Sequence, residues 1–125
     1  LVDRQVETPR NSWFLRLLQS HGHVFLGQHE AARAAARETL ALMPPTRDAM
    51  RWFSIALGAA AALAWSDAAD EAVTVLEALA TAKPGFGPAM IARDPWYVVP
   101  LAGNTRYRAL ADRVEAQLRA VDVEL

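Results

Sequence analysis

The residues best suited to chemistry in this sequence are three histidines close together, His21, His23 and His29. Imidazoles on one face can hold a metal, and an imidazole beside a hydroxyl can act as a general base. The spacing argues against both. Two positions apart on a helix, His21 and His23 point to different faces, and His29 falls beyond a turn expected at Gly27-Gln28. No carboxylate stands three or four residues from His21 to complete a ligand set. Ser20-His21 and Ser66-Asp67 lack the glycine-flanked strand-to-helix turn that exposes a nucleophile. Lys83-Pro84-Gly85-Phe86-Gly87 has the glycines of a phosphate-binding loop but neither its lysine-serine/threonine ending nor a preceding strand. With no cysteine, thiolate zinc sites, disulfides and cysteine nucleophiles are excluded, which fits a reducing, cytoplasmic setting. The sequence therefore predicts no enzyme, no metal and no cofactor.

A second set of residues is suited to binding. Trp13, Phe14, Phe25, Trp65, Trp96 and Tyr97 can either fill a core or line a groove. What positions them is the run from Trp52 to Trp65, WFSIALGAAAALAW, which is apolar on every side and has no face for water. A membrane span needs roughly 20 apolar residues. This run is shorter and is bounded by Arg51 and Asp67, so it reads as a buried central helix. The chain has 125 residues, one domain's worth, and a formal net charge of -1. No long-range field gathers nucleic acid or an anionic membrane. The first residue is Leu and the start shows no signal-peptide pattern, so the chain reads as a fragment of something longer.

Around the central helix the pattern is all-α. Residues 1–8 read as a tether, with Thr8-Pro9 as cap and first helical residue. Phe14, Leu17, Leu18, His21, Val24 and Phe25 then recur at helical steps. From His29 to Leu42, Ala32, Ala35, Ala36, Thr39 and Leu40 share one side, with Glu30, Arg33, Arg37 and Glu38 facing away. Met43-Pro44-Pro45 stops that helix. Thr46 opens the next, from about Arg47 to Trp65, and Ser66-Asp67 breaks it and is expected to cap the fourth. The fourth, Ala68 to about Ala82, carries Ala69, Ala72, Val73, Leu76, Leu79 and Ala80 as a stripe. After a bend at 83–88, Ala89 to Arg93 predicts one short turn. Asp94-Pro95 predicts another, closed by Pro100 and Gly103. Asn104 caps the last helix, whose stripe is Tyr107, Leu110, Ala111, Val114, Leu118 and Val121, with Glu115 four before Arg119 on the wet side. No run alternates as a strand does.

The chain also repeats itself. Gly27-Gln28-His29-Glu30-Ala31-Ala32 leads to Leu40 and Pro44, and Asp67-Ala68-Ala69-Asp70-Glu71-Ala72 leads to Ala80 and Pro84 without a gap. Helix, tight turn, helix, proline resembles the tetratricopeptide repeat, though the period is longer than that family's roughly 34 residues and Arg16 and Ala56 stand where it places a large residue. The resemblance implies two degenerate antiparallel helix pairs, 9–44 and 46–84, an irregular segment over 85–103, and a capping helix over 104–122. It makes Ala32 and Ala72 the crossing alanines, Ser20 and Ala60 their small partners, and Pro44 and Pro84 the terminators. The stretch Asp94-Pro95-Trp96-Tyr97-Val98-Val99-Pro100-Leu101, followed by Asn104 to Leu110, resembles the closing segment of repeat regions on bacterial winged-helix regulators and serine/threonine kinases, with Thr105 in place of a proline.

On that resemblance the concave surface is lined by Phe14, Leu18, His21 and Phe25 from one pair and by Leu57, Ala61 and Trp65 from the next. The basic and amide residues with which such repeats grip peptide carboxyl termini are absent from it. The expectation is a non-catalytic interaction or scaffolding module of a larger bacterial protein, whose apolar groove takes a partner helix or peptide or the chain's own tail. Alternatives are a homodimerising module and a small-molecule sensor with a pocket beneath the Asp94-Pro95-Trp96 segment.

Overall fold

The computed structural model describes residues 12–42, 49–82 and 88–124. Among them are seven helices and no strand: α1 (Ser12–Phe25), α2 (His29–Leu42), α3 (Ala49–Ala64), α4 (Ala69–Ala82), α5 (Pro88–Arg93), α6 (Pro95–Leu101) and α7 (Thr105–Glu124). The all-α expectation holds for these residues. The tether, the Thr8-Pro9 start, Pro44, Pro45, Thr46 and Pro84 lie outside them.

Helix α3 sits at the centre for the reason its composition requires: Phe53, Ala56, Ala59, Ala60, Ala62 and Leu63 are all but inaccessible to water. It packs against α1, α2, α4 and α6, while α7 packs on α4 and α5. Ala32 and Ala72 are fully buried, as are Ser20 and Ala60. Small side chains at these positions let helix backbones approach closely without leaving voids. The α4 stripe contributes Ala72, Val73, Leu76 and Leu79 to the same core, and α7 adds Tyr107, Leu110 and Val114.

The two tight turns are built alike. After α1, Gln28 N–H reaches back to His23 O at 2.8 Å and Gly27 takes a positive φ of 72°. After α3, Ala68 N–H reaches back to Leu63 O at 3.0 Å and Asp67 takes a φ of 61°. Both are left-handed helix ends that satisfy a terminal carbonyl through the residue beyond. Glycine takes this conformation freely, and aspartate is among the few other residues that tolerate it.

Three expectations are corrected here. Ser66 and Asp67 end α3 but do not cap α4: the Ser66 hydroxyl is buried without a partner, and the Asp67 carboxylate pairs with His29 at 2.9 Å. Arg33 and Arg37 do not simply face away. Arg33 is half-buried and donates to Ser66 O at 2.6 Å, and Arg37 makes a two-pronged ion pair with Glu71 of α4. Glu115 answers chiefly to Arg93 of α5, at 2.7 and 2.9 Å, rather than to Arg119 within its own helix. Asp67, Arg33, Arg37 and Glu115 each reach a residue distant in sequence, which helical periodicity cannot reveal.

Candidate functional site

Helices α1, α3, α5 and α6 line an apolar cleft of about 510 Å³. Its floor is α3, which offers Phe53, Leu57, Gly58, Ala61 and Trp65 at successive turns, with the exposed hydroxyl side chain of Ser54 at one end. Helix α1 supplies one wall with His21, Val24 and Phe25. The short helices supply the other with Met90, Asp94, Trp96 and Tyr97.

Why α6 lies against α3 can be followed from its sequence. Asp94 accepts the Trp96 N–H at 2.9 Å and Pro95 occupies the first helical position, so α6 starts where the aspartate-proline pair predicts. Pro100 lies inside the helix rather than beyond its end. Having no N–H, it leaves the Trp96 carbonyl, four residues back, without its helical donor. The Trp65 indole Nε1–H donates to that carbonyl at 2.8 Å. The ring also meets Trp96 edge to face, centroids 5.8 Å apart at 76°. Deeper in, the buried Tyr97 hydroxyl donates to Leu57 O at 2.8 Å. Burial, reinforced by the negative charge of Asp94, raises the Tyr97 phenol well above its ordinary value.

On the opposite wall, His21 Nε2 lies 2.9 Å from Gly58 O. A carbonyl oxygen only accepts, so Nε2 carries a proton. At Gly58 a Cβ would come within 3.2 Å of Leu17 Cδ1, tighter than an ordinary contact, and within 3.6 Å of His21 Cε1, an ordinary one. At the mouth, Phe25 meets Trp96 edge to face, centroids 6.3 Å apart at 81°. Phe25 is 76% exposed and Trp96 49%, high values for aromatic side chains.

Of the seven residues expected to line a groove, five border this cleft: His21, Phe25, Leu57, Ala61 and Trp65. Leu18 is half-buried and does not border it, and the Phe14 side chain lies outside the described residues. The lining also takes in Phe53 and Met90, which the sequence does not mark for it; Trp96 and Tyr97 are groove candidates in the sequence, Val24 shares the helical face of His21 and Phe25, and Asp94 belongs to the segment expected to cover a small-molecule pocket.

The histidines serve separate structures. His23 pairs with Gln28 at 2.5 Å and His29 with Asp67, while His21 faces the cleft. Among the described residues no three or more histidine, cysteine or acidic side chains gather as metal ligands, and no helix is long and apolar enough to cross a membrane. No family model, curated protein or solved structure matches this chain.

Proposed function

We propose that this chain is a non-catalytic helical binding module that takes a small apolar guest into the cleft between α1, α3 and α6. The observation that carries this reading is the cleft itself, about 510 Å³ with aromatic and aliphatic walls, in the size range of small-molecule sites. Helix α6, tied down by Trp65 and Tyr97, narrows what the repeat resemblance alone would leave as an open groove.

In this reading α1–α2 and α3–α4 are degenerate tetratricopeptide-like antiparallel pairs, and α7 is their cap. The buried alanines at 32 and 72 and the matching left-handed turns support that assignment. The module works by shape, without a cofactor, as the binding part of a larger cytoplasmic protein.

The test uses the neutral fluorophore N-phenyl-naphthylamine. Wild-type protein should brighten it at micromolar concentration, and Ala61→Phe, which projects a ring into the cleft, should abolish the signal while helicity is retained. Phe25→Ala, on the exposed rim, should weaken it. No enhancement with wild type would end this reading. A second reading, that the mouth is covered by a protein partner or a second copy, is favoured by Leu26 at 72% and Val99 at 62% exposure beside Phe25 and Trp96. Sedimentation over a concentration series would reveal self-association.

A further inference from the structure

The cleft lining contains an aspartate and no lysine or arginine, with the exposed Ser54 hydroxyl at one end. Asp94 is half-buried at the wall, and one of its carboxylate oxygens is taken by the Trp96 N–H. The adjacent Arg93 forms an ion pair with Glu115. His21 turns its Nε2–H into Gly58 O, and the Tyr97 and Trp65 donors are spent on Leu57 O and Trp96 O. These donors, which could otherwise hold a carboxylate or phosphate, are consumed within the protein, and the hydroxyl that Ser54 adds to the lining is neutral.

The aromatic rim has the same polarity. Trp96 stands nearly perpendicular to both Phe25 and Trp65 and borders the opening beside Asp94. Ring faces carry negative quadrupole charge, and cations over them are stabilised most when partly desolvated. A carboxylate and an aromatic rim around an apolar cleft complement one kind of guest.

We propose that the cleft selects a monocationic apolar small molecule, an alkyl- or aryl-substituted ammonium, whose body lies along α3 and whose charge rests near Asp94 and Trp96. This deepens the binding-module reading and rests on it.

Three probes of nearly equal size separate the two: benzyltrimethylammonium, its uncharged carbon isostere neopentylbenzene, and phenylacetate, each displacing N-phenyl-naphthylamine from the wild-type chain. The ammonium should bind about tenfold more tightly than neopentylbenzene, and phenylacetate more weakly than either. Asp94→Asn keeps a side chain that caps α6 well and removes the charge, so the ammonium-to-neutral ratio should shrink to about twofold. Phe25→Leu keeps an apolar rim and removes a π-face, and should lower the same ratio without depending on the α6 cap. If the fluorophore binds but the ammonium shows no preference, or phenylacetate wins, the charge selectivity is wrong and the binding module stands. If neither the fluorophore nor any of the three binds, both are overturned.

Discussion

Tyr97 illustrates how single residues join the tail to the core. Its ring is buried and its hydroxyl bridges α6 to the α3 backbone at Leu57, and Tyr107 does the same from α7 to Ile91 O at 2.6 Å. Burial, with Asp94 adding to it, raises both phenols above their ordinary value. The sign follows from linkage: the unfolded chain loses these protons first, near the unperturbed tyrosine value of roughly 10, so stability is intact below that pH and falls as pH rises through it. These are the chain's two tyrosines, and Lys83 is its single lysine, so few other groups titrate there. Urea midpoints measured across that range should therefore decline for wild type and decline less for Tyr97→Phe. At neutral pH, Tyr97→Phe should cost about 1 kcal/mol for the lost hydrogen bond.

Among the elements, the two turns decide how each helix pair closes. They share backbone geometry but not residue type: Gly27 is free to adopt its φ, whereas Asp67 holds a conformation that L-residues resist. The His29 pair of Asp67 is solvent-exposed and offsets little of that cost. Asp67→Gly is therefore expected to stabilise the protein by up to about 1 kcal/mol, the left-handed penalty of roughly 1–2 less the ~0.5–1 that glycine loses in entropy. Thermal melting would check it, and a fall in stability would mean that Asp67 contributes through His29 more than the exposed geometry suggests. Helix α7 depends on side chains at its start: Asn104 accepts the Tyr107 N–H at 2.9 Å and donates to Asp70 at 3.0 Å, and Arg106 reaches Thr74 and Glu77 at 3.0 and 2.5 Å.

Across the whole molecule the core is asymmetric. Leu63, Leu76, Leu79, Ile91, Leu101 and Leu110 are buried around α3, α4 and the tail, whereas the far end of α1 carries Phe25 and Leu26 into solvent. Stability is therefore concentrated on the α3–α4–α7 side, away from the cleft mouth. Leu76→Ala, at a fully buried site, should cost roughly 2–5 kcal/mol by chemical denaturation, the range for a leucine cavity in a packed interior. Rim substitutions such as Phe25→Ala should leave the denaturation midpoint nearly in place while altering guest binding.

Much of this architecture is legible in the sequence, because it is local. The apolar run from Phe53 to Ala64 has no polar face and must be central, the caps at Asp94 and Asn104 act within three residues, and the alanines at 32 and 72 follow helical spacing. Five groove residues could be named because the repeat resemblance puts one face of each first helix on the concave side. What tertiary structure alone decided is which faces meet. Pro100 frees a carbonyl that Trp65 fills, Tyr97 reaches Leu57, and Arg33, Arg37 and Glu115 leave their own helices for distant partners. Periodicity reports a residue's angle about its own helix axis and says nothing of the neighbour's identity, so the closing of α6 over the groove and the negative lining at Asp94 emerged only when the helices were packed.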